Sequence, residues 1–463
     1  MGGLFSSLQT ASAALQAFTQ SLGVDQANVA NASTPGYAAQ KASIKPISDG
    51  GSIPGGGSDF INLTSSGDSL TDAIVRQASS EASASGTASS QLSSINQVFD
   101  ITGSSGILAA FQQFSTAFSN LSVTPNDPTL GASALNAAGQ VASAFNSAAS
   151  ALNAQASQVD SSIQSTVNQI NTLGSDVQKL NVQIRGETQF DPGADASLRS
   201  DLDQLSSLVD ITVTNNADGT VNVLAGGQLP VVTGDQAWSL SANPSAAAGS
   251  QITSSAGGNS PATFSGSLGA LLGVRNGAIA QLLGSGSNPG ALNELAKGFA
   301  ARVNNLLSAG TTAAGASGVP IFSFDQTNDA NVAGTLTLIS SVTPAQLGLA
   351  SAGPPAVANG VANQLAALPS SNNPADQIGG LSAEDLFGSI AASIGQLTSD
   401  AQSQATTDQT TLTSAQAQRQ QTSGVSLDQE AVSITASERA YEASARLVSI
   451  LDQLTSDEVN ILK

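Results

Sequence analysis

Residues 145 to 184 read "FNSAASALNAQASQVDSSIQSTVNQINTLGSDVQKLNVQI". Phe145, Ala149, Leu152, Ala156, Val159, Ile163, Thr166, Ile170, Leu173, Val177, Leu180 and Ile184 recur at alternating steps of four and three. That spacing keeps one stripe of a helix against a neighbour. About 40 residues at 1.5 Å each make a rod of roughly 60 Å. Heptads sustained over this length predict a coiled coil or helical bundle rather than a globular core helix.

Toward the N-terminus, "GILAAFQQFSTAFSNL" sets Leu108, Phe111, Phe114, Phe118 and Leu121 on one helix face, and "TPNDPT" stops it with two prolines. A further helical stretch spans about Leu70 to Val98, and residues 48–58, "SDGGSIPGGGS", read as a loop or joint. At the start of the chain Leu4, Leu8, Ala11, Leu15, Phe18 and Leu22 repeat the heptad seam. Three heptads are marginal alone in water, so this helix needs a partner. Gly23 weakens it and Pro35 stops it.

Toward the C-terminus the period changes to two. Ile211 and Val213, then Val221 and Val223, alternate around Asp218-Gly219, a hairpin signal. Residues 243–259 read as loop, and helix returns at 269–283 and 291–307. "GVPIFSFD" (318–325) and "GTLTLIS" (334–340) read as short strands, and 354–374 as a loop with one helical turn. From Ser382 the helical rhythm resumes through Phe387, Ile390, Ile394, Leu397 and Ala401, then becomes polar all round. Ser426 with Gln429 makes a capping box. Leu427, Ala431, Ile434, Tyr441, Ala445 and Val448 then form a last seam, extended by Leu451 and Leu454 and broken at Glu438.

The predicted fold is therefore mainly α: a long coiled-coil helical bundle built from the N- and C-terminal parts of the chain, with a small inserted β-rich subdomain. Residues 1–58 and 424–463 form a terminal coiled-coil domain, 59–210 and 268–423 a helical domain, and 211–267 a β-hairpin element. Residues 318–345 hold short strands that could form a reduced outer domain.

Composition narrows the function. The chain has 463 residues, no Cys and no His, so thiol chemistry, disulfides and the commonest general base and metal ligand are missing. Lys and Arg total 13 against 33 Asp and Glu, a net charge of -20 that disfavours nucleic acid and anionic lipid. Met1 to Gln40 carries one charged side chain, Asp25, so it lacks the basic start of a secretory signal, and no apolar run is long enough to span a membrane. Charged residues are 10% of the chain, replaced by small polar ones that suit surfaces buried against copies. A poorly ordered low-complexity chain is the plainer reading, and the periodicity opposes it.

No catalytic or metal site emerges. "NNADGTVNV" has the wrong residues for a calcium loop, Gly284-Ser285-Gly286 the wrong spacing for a dinucleotide loop, and Asp325 and Asp329 read as solvated loop acids. No phosphate loop or nucleophile elbow is present, and no cofactor is expected.

What remains is "DQANVANASTPGYAAQ" (25–40). Asn28, Asn31, Thr34, Pro35, Gly36 and Tyr37 closely resemble the N-terminal signature of bacterial flagellar rod, hook and hook-junction proteins. "SGVSLDQEAVSITASERAYEASARLVSILDQL" (423–454) is similar to the matching C-terminal end of that axial family, through Gly424-Val425, Leu427, Glu430, Ala440-Tyr441 and Ala443-Ser444-Ala445. "LAAFQQFSTAFSNLSVTPNDP", "SLRSDLDQLSSLVDITV" and "SGSLGALLGVRNGAI" resemble its hook–filament junction branch.

The resemblance implies a structural role between hook and filament and no enzymatic activity. It implies export from the cytoplasm through the flagellar type III channel without a cleaved signal, and an extracellular place in the flagellum. The implied partners are copies of the chain in a helical tube, hook protein, a second hook-associated junction protein, and a cytoplasmic export chaperone at the C-terminal helix. The two terminal seams named above would form the assembly interface, and the Asn28–Tyr37 turn a joint between inner tube and outer domain. A hook or rod protein of the same family remains an alternative, as does a secreted coiled-coil adhesin.

Overall fold

The computed structural model describes all residues except 1, 47–57, 100–104, 188–189, 244–249, 258–262, 287, 352–355 and 462–463. The chain divides into two compact units. The first comprises Met1–Ala82, Ile170–Ser239 and Asp408–Lys463; the second comprises Ser83–Gln169 and Leu240–Thr407. The fold is mainly α. The helices α2 (Ser69–Asn96), α4 (Pro128–Gly186) and α11 (Ala383–Ser423) each supply residues to both units.

The quoted heptad lies in α4, which is longer than its seam. Asp127 caps its start, its carboxylate accepting from the amides of Thr129 at 2.7 Å and Leu130 at 3.2 Å, with Pro128 in the first turn. Phe145, Leu152, Val159, Ile163, Ile170 and Val177 are fully buried, while Leu173, Leu180 and Ile184 at the far end are half-buried.

In the second unit, α3 (Ile107–Val123) buries Phe111, Phe114, Phe118 and Leu121. Their rings meet α8 (Ala291–Ala309) at Phe299, whose centroid lies 4.8 Å from Phe111 and 5.3 Å from Phe114. The Phe114–Phe299 pair meets edge to face, at 71° between planes, which adds to burial. The two short strands β9 (Phe322–Ser323) and β10 (Thr337–Leu338) pair antiparallel, and β9 packs on α8. Between them, α9 (Val332–Thr335) also packs on α8. The helix over 269–283 comprises α6 (Gly266–Gly273), a π-helical segment (Val274–Ile279) and α7 (Ala280–Leu283). The π segment carries Arg275 onto Asp160 of α4 at 2.8 Å.

In the first unit, α5 (Pro192–Leu208) leads into a four-stranded antiparallel sheet of β3 (Ile211–Asn215), β4 (Val221–Ala225), β5 (Leu229–Thr233) and β6 (Gln236–Ala237). Gly219 takes the positive φ that the β3–β4 turn requires. The sheet is fastened to α4 through buried Asn181. Its amide donates to the carbonyls of Val221 and Gly234, and its oxygen accepts from Val221 N at 2.9 Å.

Several expectations change. Residues 59–65 are not helical: β2 (Ser58–Ser65) pairs antiparallel with β1 (Gln40–Pro46) and shares the first unit with the terminal helices. Lys41, Lys45 and Pro46 hid β1, because alternation was sought in apolar residues. The expected loop over 48–58 lies almost wholly outside the described residues. The expected loop over 243–259 instead contains a strand, β8 (Gln251–Ser254), paired with β7 (Leu240–Asn243). Within 354–374, α10 (Gly360–Ala367) is two turns long and buries Val361, Ala362 and Leu365 against α3 and α8. Among the described residues no helix is long and apolar enough to cross a membrane.

Candidate assembly interface

The terminal helices find each other. α1 (Gly2–Ala30) packs along α12 (Leu427–Ile461) and, near its end, on the β1–β2 hairpin. Gly23 is accommodated within α1, exposed and with open space around it.

The contact line is made of small and polar groups. On α1 the fully buried positions are Ala11, Ala17, Asp25 and Asn28, while Leu8, Leu15, Phe18 and Leu22 are half-buried; the side chain of Leu4 lies outside the described residues. On α12, Ser437 is buried, and Ser433, Ile434, Ala440, Ser444, Ala445, Val448 and Leu451 are half-buried. Leu427, Ala431 and Tyr441, expected on the same seam, are exposed. A single neighbouring helix covers short side chains completely but leaves long ones at the margins part-wet.

Asp25 sits near the end of α1, opposite the first turns of α12. Its carboxylate accepts from Ser433 Oγ at 2.9 Å and Ser437 Oγ at 3.3 Å. One turn on, Asn28 is 1% exposed and fully engaged. Its Oδ1 accepts from Tyr37 OH and from Gln40 N, each at 2.9 Å, and its Nδ2 donates to Gln40 O at 2.9 Å and to the Glu430 carboxylate.

The joint motif is thus a hydrogen-bonded turn. Asn31 caps the end of α1 by donating to Ala27 O at 2.9 Å, and Thr34 Oγ1 donates to Asn31 Oδ1 at 3.2 Å. Pro35 precedes Gly36, which has φ 76° and lies against α5 so closely that an added Cβ would meet backbone atoms of Ala196 and Ser200. Gly36→Ala should therefore destabilise the first unit by about 2–3 kcal/mol, from the left-handed backbone and the collision together. Thermal unfolding with limited proteolysis at residues 31–40 measures it; an unchanged melt would refute this account of the turn.

Beyond the turn, Ala39 N donates to Ser423 O at 2.9 Å, and Ser66 Oγ bonds both carbonyls, at 2.7 Å to Ala39 and 3.2 Å to Ser423. The link between α11 and α12 is fixed at the same point as the hairpin. Nearby, Arg199 bridges Asp72 at 2.7 Å and Asp195 at 3.1 Å, and Arg419 reaches Asp203. Burial raises the Asp72 carboxyl against the pull of Arg199, Arg76 and Arg419, and burial lowers Arg76. This cluster ties α2, α5 and α11.

Burial, with the negative charge of Asp25 added, raises the Glu430 carboxyl above its ordinary 4.5, opposed by the Asn28 bond. Tyr37 is raised as well, by burial and then by Glu430. An acid whose folded pKa is raised holds its proton more tightly when folded. Its contribution is thus most favourable below about 4.5 and is lost as pH climbs through the raised value. Glu430→Gln keeps an acceptor for Asn28 and removes the charge. It should raise the melting temperature at pH 7 and flatten the acid side of the stability profile; a lower melt at pH 7 would contradict this.

A second stripe on α12 is exposed. Val432 (71% exposed), Leu447, Ile450 (59%) and Leu454, with exposed Ala436 and Ala443, fall within about 60° of the helix circumference, roughly a quarter turn from the serine line. Of this stripe sequence reading singled out Leu454 alone, as an extension of the other seam, and it missed the roles of Asp25, Gln40 and the two serines. A lone charged side chain on an otherwise uncharged 40-residue stretch was the available signal.

Among the described residues no group of three or more acidic side chains could hold a metal ion. A family model described as flagellar hook-associated protein FlgK helical domain matches residues 92–322. A second, described as flagellar basal body rod FlgEFG protein C-terminal, matches 416–461. Flagellar hook-associated protein 1 of Bacillus subtilis (strain 168) is 26% identical over 510 residues, spanning 99% of this chain and 99% of that protein. The solved flagellar hook junction protein FlgK from Burkholderia pseudomallei shares the fold at a TM-score of 0.64 and 14% identity, covering 75% of this chain and 99% of that one.

Proposed function

Because the chain belongs to the flagellar hook-associated protein 1 family, we propose that it is a structural component of the bacterial flagellum that joins hook to filament. The observation that carries this reading is the outward apolar stripe of α12 beside a terminal helix pair already closed by small residues. A face of Val432, Leu447, Ile450 and Leu454 is costly to leave in water. Covering it with a second copy would contribute on the order of 5 kcal/mol per subunit before ordering costs. Repeated head-to-tail contacts of this kind build tubes rather than closed dimers.

The seam residues Leu4, Leu8, Ala11, Leu15, Phe18 and Leu22, with Leu427, Ala431, Ile434, Tyr441, Ala445, Val448 and Leu451, are the proposed assembly surface together with that stripe. The Asn28–Tyr37 turn is the proposed joint. Hook protein on one side and a second hook-associated protein on the other are the partners this role requires. Export as an unfolded chain through the flagellar type III route, guarded by a cytoplasmic chaperone at α12, belongs to the same proposal, as does the absence of an enzymatic activity.

Deleting the gene tests the role. Hooks should persist, filaments should be missing and filament subunits should appear in the medium; normal filaments would refute it. Complementing with Val432→Glu, Leu447→Glu and Ile450→Glu together should leave the same defect while the purified chain melts as the parent does. Restored filaments would remove the stripe from the interface.

A further inference from the structure

α12 has two ways to cover α1. In the one observed, its serine line faces inward and the apolar stripe outward. A rotation of about a quarter turn would bring Val432, Leu447, Ile450 and Leu454 onto α1 instead. That rotated packing would cover the larger apolar side chains of the stripe, whereas the observed contact line fully buries only alanines, a serine, an asparagine and a carboxylate and leaves its leucines half-covered.

We propose that Asp25 is a register pin that forbids the rotated packing and so keeps the apolar stripe of α12 available to other subunits; the inference rests on the assembly role above. Asp25 is 7% exposed and takes hydroxyl donors from Ser433 and Ser437, one helical turn apart. Both donors stand on the observed inner line. On the stripe the residues at the same level are Val432 and Ala436, which have no donor to offer. Turning the helix would strand a buried carboxylate without partners, and an unpaired buried charge costs more than an apolar contact returns. A single polar group at a helix seam fixes register at the expense of stability in the same way. Asn28 reinforces the pin one turn further along, because its amide holds Glu430 as well as Gln40. The positioning is chemical rather than steric: small residues on both helices would tolerate rotation, and the hydrogen bonds do not.

The chain has no cysteine, so single thiols report cleanly. Val432→Cys and Ser444→Cys, the latter centred on the serine line, are made separately in the full chain, and maleimide labelling is followed in dilute, non-polymerised protein. With Asp25 present, the thiol at position 432 should label ~10-fold faster than that at 444. Asp25→Leu should invert that order and abolish polymerisation, while Asp25→Asn, which keeps an oxygen acceptor, should restore the parent order. An unchanged order in Asp25→Leu overturns the pin. So does fast labelling of both thiols with loss of α12 helicity, which would make Asp25 a stabiliser of the helix rather than of its register. So does failure of the Asn rescue. If the order inverts and polymerisation continues as before, the pin stands and the role of the stripe in assembly fails.

Discussion

Removing residues 1–37 and 427–463 together should abolish polymerisation completely and leave a folded monomer. The two helices lost in this deletion pack mainly on each other, with the β1–β2 hairpin as their other neighbour. The aromatic core of α3, α4 and α8 lies in the second unit and owes nothing to them. In the first unit Asn181 and the Arg199–Asp72 pair remain in place, so the sheet stays on α4 and α5 on α2. Sedimentation should give one species at every concentration, and calorimetry should retain the main transition. Global unfolding would show that the terminal pair carries the fold rather than the assembly. Removing α12 alone should be worse behaved than removing both, because it uncovers Leu8, Leu15, Phe18 and Leu22 with no partner.

Phe299→Ala should be the most damaging single change, at about 3–5 kcal/mol. The ring is 1% exposed and lies within 6.3 Å, centroid to centroid, of Phe111, Phe114 and Phe322. Its loss opens a cavity walled by two rings of α3 and one of β9, which cannot collapse together to fill it. For a unit of this size the transition of the helical domain should fall by about 10 °C. Phe299→Leu, which refills most of the volume, should recover more than half of the loss. A drop below 2 °C for the alanine would mean that the core is not centred on α8.

The long helices were readable because their information is periodic. Phe145, Leu152, Val159, Ile163 and Ile170 fall where a four-three count places them, and the structure buries each one completely. The β3–β4 hairpin was readable for the same reason, with Asp218-Gly219 marking the turn. The β1–β2 hairpin was not, because Lys41 and Lys45 give no apolar alternation. At the interface, counting apolar residues placed Ile434, Ala445, Val448 and Leu451 on the seam with Leu427, Ala431 and Tyr441; the first four are half-buried and the last three exposed. The contact line also passes through Ser433 and Ser437, which pattern reading scores as solvent-facing. A seam made of serine, alanine and one aspartate becomes visible only when two backbones are set side by side. The Asn28–Tyr37 turn was found by resemblance. Its geometry shows the physical need: a positive φ beside a helix backbone at Gly36, and an amide at Asn28 with every bond used.

The meeting of Ala39, Ser66 and Ser423 has a temporal consequence. Ser66 and Ser423 lie 357 positions apart, and Asp72 and Arg419 are similarly distant. A chain that emerges N-terminus first can complete the unit made of Ser83–Gln169 and Leu240–Thr407 before its last stretch arrives. The first unit, which includes Asp408–Lys463, must wait for that final stretch, and long-separated contacts are slow to close. Maturation therefore runs from the middle outward, and the sticky tips become competent last. A subunit released early would carry a finished body and unready ends, a built-in delay against joining neighbours before its own shape is settled.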